Sequence, residues 1–362
     1  MKRSELWPKS SLRERLELVH PIIQAPMIPI SMADLVVAVA QAGALGSLGS
    51  ASMPAKTIAA QVSAIRARTP RAFSLNFFVH RAPVLDHAQL ARWRERLAPH
   101  RQALGLPEAA KQTTLEAPPP FDDAMLEAVL ELRPAAVSFH FGAPPTHAIA
   151  ALKQAGVYLL GCATTVPEAV QLEAAGMDAV IAQGIEAGGH RGTFAPPFAR
   201  AEIGLMSLLP QVADAVRIPV IAAGGIADGR GIAAALTLGA AGVQLGTAFL
   251  ATPEATLDPS YRRVLQEPRA AVTQLTKLYT GRPARGIVTR FMEELAAHED
   301  DALAYPLQRA ITGPLGQAAL KQANPEYHSL WAGQSAALIR QLPAAQLIET
   351  LVKETELALA KR

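Results

Sequence analysis

Two stretches carry most of the residues able to do chemistry. The first runs from Ala179 to Gly192, AVIAQGIEAGGHRG, and the second from Ile218 to Leu250, IPVIAAGGIADGRGIAAALTLGAAGVQLGTAFL. In each, a short apolar run stops at small residues before a loop or helical pattern begins. A strand buried on both faces reads this way when a helix crosses back over it. Gly188, Gly189, Gly224, Gly225 and Gly246 follow the carboxyl ends of these runs, where they leave main-chain N–H groups bare beside a ligand. Gly224–Gly225 and Gly246–Thr247, on successive strands, supply convergent donors and a hydroxyl. Such a nest, backed by the start of a helix near Asp228, suits a phosphate monoester. Tight strand-to-helix turns would explain one glycine pair equally well, and two successive pairs less well. The amides of Asn76, Gln183 and Gln244 offer donors and acceptors at fixed strand ends, as the edge of a heteroaromatic ring requires. A buried amide also commonly satisfies only its own loop.

His190, in GGHRG, has little local packing and stands at the mouth of the nest. With an ordinary pKa of about 6.5, an imidazole there takes a proton from carbon or holds an anion near neutral pH. His140 ends a strand in SFHFG, where core packing between Phe139 and Phe141 is the competing role. Glu186 also titrates in this region. His80, His87, His100, His147 and His298 fall in helical or surface contexts and are expected to be solvated. No two histidines or carboxylates share ligand spacing, so no metal site is expected. Cys162 is the only cysteine, which excludes an internal disulfide and suits a reducing compartment. It has no evident base, and no Gly-x-Ser-x-Gly elbow appears.

The elements that must position these residues follow a regular rhythm. Apolar runs at 20–26, 45–50, 72–78, 135–139, 157–163, 179–183, 220–223 and 243–245 read as strands. Helical patterns at 32–42, 54–68, 121–131, 146–155 and 166–175 alternate with them. Eight strand–helix units in about 230 residues predict an α/β fold, a (β/α)8 TIM barrel. The rhythm breaks twice. Residues 80–120 are charged, carry the pattern LARWRERLAPHRQAL and end in APPP, too long for a simple connection. The roughly 110 residues after Leu250 carry GRPARGIVTRF, AYPLQR and NPEYHSLWAGQ, with helical patterns and no further strand–glycine unit. The division predicted is a barrel over 1–80, 121–250 and about 331–362, with a smaller, mainly helical covering domain over its mouth from 81–120 and 251–330. The last thirty residues read as an amphipathic helix packing back on the barrel.

Bulk composition narrows the function. The chain has 362 residues, half of them apolar, and 34 Lys+Arg against 31 Asp+Glu. The small excess forms no basic cluster interleaved with aromatics, so nucleic acid is not an expected partner. The N-terminal MKRSELWPKS is followed by charged SSLRERLELVH where a signal peptide needs an apolar core. The low-charge stretch 218–250 is broken by Asp228, Arg230 and many glycines, so no membrane span is expected. A cytoplasmic enzyme, monomer or homodimer, is the expectation.

Together, QAPM at 24–27, NFF at 76–78, SFHFG at 138–142, QGIEAGGHRG at 183–192, IPVIAAGGIADGR at 218–230, QLGTAFL at 244–250 and NPEYHSLWAGQ at 324–334 resemble the class I nitronate monooxygenases, formerly called 2-nitropropane dioxygenases. The likeness runs from about Pro21 to Leu338. EAGGH and AAGGIADG are shared with flavin-dependent enoyl-acyl-carrier-protein and quinone reductases; SFHFG and EYHSLWAGQ are more particular to nitronate monooxygenases. The resemblance implies non-covalent FMN. Its phosphate would lie on Gly224, Gly225 and Gln244, Leu245, Gly246 and Thr247, with its ring near Ala25, Pro26, Met27, Asn76, Gln183, Gly188 and Gly189. It implies that His190 faces the substrate, with His140 nearby. It also implies one-electron oxidation of a nitronate such as propionate 3-nitronate, then reaction with O2 to a carbonyl compound and nitrite. Tyr305, Tyr327 and Trp331, in the covering segment, are candidates to close over the substrate. The rival reading is an NAD(P)H-dependent flavin reductase of the enoyl-thioester or quinone type.

Overall fold

The structure is a computed structural model that describes residues 7–108, 115 and 117–360. Residues 1–6 of the N-terminal stretch, and 109–114 and 116 of the first excursion, lie outside the described residues. Eight short parallel strands form the central sheet: β1 (Ile22–Gln24), β2 (Gly46–Gly49), β3 (Phe73–Phe78), β4 (Ala136–His140), β5 (Tyr158–Ala163), β6 (Ala179–Gln183), β8 (Val220–Ala223) and β9 (Gly242–Leu245). Two-residue β7 (Gly189–His190) follows β6 but belongs elsewhere. The sheet order is β1-β9-β8-β6-β5-β4-β3-β2. Its two ends meet where Leu45 N–H donates to the Ile22 carbonyl (2.9 Å) and the Leu45 carbonyl accepts from Gln24 (3.0 Å). The sheet is therefore a TIM barrel.

Helices alternate with the strands because each apolar stripe needs the sheet to cover it. Val166–Ala175 shows the local logic. Thr165 accepts from the Glu168 N–H at its start, and Gly176 (φ +99°) ends it in the left-handed conformation. The barrel's last outer helix is Ala344–Ala360, which packs on Gly229–Thr237 and Ala33–Gln41. One large core of Leu, Ile, Val and Phe side chains lies between strands and helices. Every strand residue of β1, β2, β5, β6, β8 and β9 is buried, which is why these strands read as continuous apolar runs and not as alternations.

The two excursions share a second core. Trp93 and Leu97 of helix His87–Ala103 pack with Leu278, Phe291, Leu303, Leu315 and Tyr327. Asp301 ties the halves together: Arg92 pairs with its carboxylate at 2.7 Å, Arg96 also reaches that carboxylate, and the Trp93 indole donates to its carbonyl.

This layer is not purely helical. Strands β10 (Thr273–Thr276) and β11 (Ala284–Ile287), in a region where no strand–glycine unit was legible, form an antiparallel sheet that recruits β7, with Ala284 opposite His190. Both lie too far from the barrel rhythm and are too polar to read as buried strands. No helix among the described residues is long and apolar enough to cross a membrane.

Candidate active site

The carboxyl ends of β1, β3, β4, β6, β8 and β9 open on one pocket roofed by Tyr305, Pro306, Arg309 and Trp331. It encloses about 1310 Å3 of atom-free space, counting the part open to solvent. Ala25, Pro26, Met27, Asn76, Gln183, Gly188, Gly189, Gly224, Gly225, Gln244, Gly246, Thr247, His140, His190, Tyr305 and Trp331 all line it. Two expected residues do not. Leu245 packs in the core between strands and helices, and its carbonyl is taken by Ala25 N–H at 2.8 Å. Tyr327 belongs to the second core, its ring 5.9 Å from Phe291 and its hydroxyl 3.4 Å from His100 Nδ1.

Consecutive Gly224 (φ +105°) and Gly225 (φ +71°) turn the main chain after β8 into the left-handed region. No protein acceptor among the described residues meets the N–H groups of Gly224, Gly225, Gly246 or Thr247. Orphaned donors converging on a pocket are what an anion needs. The Thr247 hydroxyl accepts from Gly333 N–H at 2.9 Å and keeps its own hydrogen to donate. The expected help from the helix at Asp228 is absent: the Asp228 carboxylate already accepts from Arg230 and Gly231 N–H, capping helix Gly229–Thr237 itself. The unpaired donors at this tip are therefore those of the loop main chain.

Segment 331–334 holds the rim. Gly333 bonds Thr247, Gln334 N–H bonds the Glu186 carbonyl at 3.0 Å, and Gly188 meets the Ala332–Gly333 main chain so closely that a Cβ would stand 2.6 Å from it. Glu186 itself caps the next helix by accepting from Leu205 N–H at 2.9 Å and does not line the pocket.

The three amides differ. Gln183 is consumed by its own loop: Nε2 donates to the His190 carbonyl (3.0 Å), while Oε1 accepts from Gly192 N–H (2.8 Å) and Arg191 (3.1 Å). Asn76 spends Nδ2 on Ser138, 2.9 Å from the hydroxyl, which leaves Oδ1 to accept. Gln244 is buried and lines the pocket.

The histidines depart from the ordinary value. His190 is half-buried at the pocket and lies deep in the molecule, ringed by Tyr305, Trp331, Phe141 and Phe78 at centroid distances of 5.5 to 6.1 Å. Burial first, then the Arg282 and Arg309 charges, push its pKa down to about 3. His140 is pushed down to about 4 by burial and Arg282, and its Nδ1 meets no partner. Both rings are therefore neutral near pH 7. The aromatic cage desolvates the ring and disfavours its charged form.

His80 and His100 are also not solvated as expected: His80 lies 5.1 Å from Tyr305 in edge contact, and His100 lies 5.8 Å from Phe291. His87 and His147 are exposed. Cys162 is buried and its thiol is raised to about 12 by burial, so it is no nucleophile.

Arg309 is the one charged residue among the described pocket lining, and no carboxylate joins it there. Arg309 was not legible as a site residue in AYPLQR; it stands in the first turn of the helix Leu307–Lys321, four residues after Tyr305. Arg191 and Arg282 are largely buried nearby, without ion pairs among the described residues. Arg191 donates to the Gln183 and Ala201 carbonyls at 3.0 and 3.1 Å, and Arg282 lies 3.8 Å from the Phe141 centroid. The site thus brings unpaired main-chain donors, two imidazoles and one arginine together in one pocket.

The family model for nitronate monooxygenase matches residues 9–354. A nitronate monooxygenase from Pseudomonas aeruginosa is 45% identical over 340 residues, covering 94% of this chain and 97% of its own. One from Paraburkholderia phytofirmans is 44% identical over 347 residues, covering 96% and 95%. Among solved structures, a nitroalkane oxidase from Streptomyces ansochromogenes superposes with a TM-score of 0.88 at 41% identity, over 97% of this chain and 99% of its own. FabK from Thermotoga maritima superposes with a TM-score of 0.75 at 30% identity, over 98% of each.

Proposed function

The chain belongs to the nitronate monooxygenase family, a family of oxidoreductases, and on that premise we propose that it oxidises small nitronates with O2 to a carbonyl compound and nitrite, using non-covalently bound FMN. The observation that carries this reading is the meeting of unpaired main-chain donors at Gly224, Gly225, Gly246 and Thr247 with His140, His190 and Arg309 in one pocket.

The residues present fit the cofactor. The four N–H groups and the Thr247 hydroxyl would hold its phosphate, while Ala25 to Met27, Gly188, Gly189 and the Asn76 Oδ1 acceptor would border its ring. Bound there, FMN supplies the one-electron acceptor that no side chain of this protein can provide. The chain's own residues do the rest. Phe78, Tyr305 and Trp331, with Phe141 packed behind them, would exclude water around the reacting carbon and give the pocket apolar walls. His190, neutral, would present one ring nitrogen to the substrate without adding charge. Arg309, at the mouth, attracts an anionic tail, which favours a carboxylate-bearing substrate such as propionate 3-nitronate over plain alkyl nitronates.

The test is spectroscopic. The purified protein is expected to be yellow with FMN released on denaturation, and its visible absorption to change under anaerobic propionate 3-nitronate but not under NADH or NADPH. Bleaching by a reduced nicotinamide alone would replace this reading with the flavin-reductase one. A colourless protein that takes up no FMN would overturn both.

A further inference from the structure

The residue that steers His190 comes from the covering layer, 90 positions along the chain. His190 Nε2 lies 2.9 Å from the Thr280 hydroxyl. Its neighbours Phe78, Phe141, Tyr305 and Trp331 approach through ring contacts. The Thr280 side chain is buried, and its hydroxyl has a second neighbour, the Arg282 carbonyl at 3.2 Å. It also faces the Arg282 N–H at 3.4 Å. A threonine hydroxyl has one hydrogen to give and two lone pairs to receive with. A carbonyl can only accept, so all three neighbours are satisfied in one arrangement: Thr280 O–H donates to the Arg282 carbonyl and accepts from His190 Nε2–H and Arg282 N–H. That arrangement places the imidazole hydrogen on Nε2 and leaves Nδ1 as the acceptor.

The turn that carries Thr280 is held from several sides. Gln308 donates to the Leu278 carbonyl at 3.1 Å, Thr312 to the Tyr279 carbonyl at 2.7 Å, and Lys277 N–H to Glu299 at 2.6 Å. The His190 main chain is fixed as well, paired with Ala284 across β7 and β11 and bonded through its carbonyl to Gln183. Ring rotation is the freedom left to it, and Thr280 removes that freedom.

We propose that Thr280 is a positioning residue that fixes the ring orientation of His190 and selects its Nε2–H tautomer, so that the covering layer, not the barrel, decides which nitrogen of His190 is basic. The inference rests on the reading of His190 as a substrate-facing residue only for its catalytic consequence; the tautomer itself is a property of the protein alone.

The experiment compares native protein with Thr280→Val and Thr280→Ser, using 15N-histidine labelling and long-range proton–nitrogen spectra in which His190 is assigned by its loss in His190→Gln. Expected are a single Nε2–H pattern for His190 in native protein, a mixture or the other tautomer in Thr280→Val, and the native pattern regained in Thr280→Ser. In parallel, kcat/KM on a nitronate is expected to fall about tenfold in Thr280→Val and to recover in Thr280→Ser, with bound FMN and melting temperature held as controls. An Nδ1–H pattern in native protein, or an unchanged Nε2–H pattern in Thr280→Val, overturns the proposal whatever the activity. A tautomer that switches as expected with no nitronate turnover in any of the proteins leaves the Thr280 assignment standing and removes the proposed function instead.

Discussion

The Arg282 guanidinium carbon lies 3.8 Å from the centroid of the Phe141 ring, and Phe141 is held at φ +72°, a conformation that a non-glycine residue rarely adopts. The stack packs against the two histidines: Phe141 meets His190 edge-on at 5.9 Å and His140 at 5.8 Å. It also parks a buried positive charge beside both rings, and that charge follows burial among the causes that depress each histidine.

A pH dependence follows from this charge. His190 must lose its proton to be neutral, and its pKa is pushed down to about 3, so activity that needs the neutral ring is retained as pH falls and is lost only near that value. Native kcat/KM is expected to be flat from about pH 8 down to about pH 5, with no inflection near the ordinary histidine pKa of about 6.5. Replacing Arg282→Gln removes a repelling cation, raises the histidine pKa and moves the acid limb upward by up to about one unit. A native profile that bends near pH 6.5 would show that the cage does not desolvate His190.

The role of His190 separates by substrate. In His190→Asn, turnover of a neutral nitroalkane, which must surrender a proton from carbon, is expected to fall about 100-fold or more. Turnover of the pre-formed nitronate, which has no such proton to give, is expected to fall far less. Steady-state kinetics with both forms of one compound measure the ratio; an unchanged ratio argues against proton abstraction by this ring.

Arg309 is predicted to read the tail of the substrate. For Arg309→Met, KM for propionate 3-nitronate should rise about tenfold, roughly the value of one charge-assisted hydrogen bond at a partly solvated site. KM for ethyl or propyl nitronate should hardly move. Added salt should weaken the native preference in the same direction, because the arginine is largely exposed. Equal changes for both kinds of substrate would place the carboxylate elsewhere.

At the cradle, Gly224→Ala puts a side chain on a residue at φ +105°, with the new Cβ 3.0 Å from the Ala187 nitrogen. Strain of about 1–3 kcal/mol is expected, and it falls on a pocket-lining loop whose N–H groups have no protein acceptor among the described residues. The variant should purify with much less FMN while the melting temperature of its apo form drops only a few degrees, measurable by absorbance and calorimetry. Full FMN retention would remove this loop from the phosphate site.

Much of the fold was legible because a two-sided buried strand needs an apolar run and a short helix needs its stripe and its caps, and both are properties of neighbours in sequence. The strands β6 and β8 and the helix Val166–Ala175 stand where those patterns place them. The candidate cradle was legible for the same reason: a glycine pair directly after a strand marks a chain reversal that lays main chain open, whatever surrounds it. The sheet of β10, β11 and β7 was not, since its strands are short, partly polar and paired across about 90 residues.

The sequence by itself determined the barrel and the glycine-marked tips of its strands, since dihedral preference and hydrophobic period act over a few residues. Only the tertiary structure decided what the side chains at those tips have left to offer. It spends the Gln183 amide on its own loop, turns Asp228 to capping, sends Tyr327 into a second core and brings Thr280, Arg282 and Arg309 to His190. Hydrogen-bond saturation and desolvation depend on every group within a few ångströms, and groups that close in space are here separated by 90 residues or more of chain.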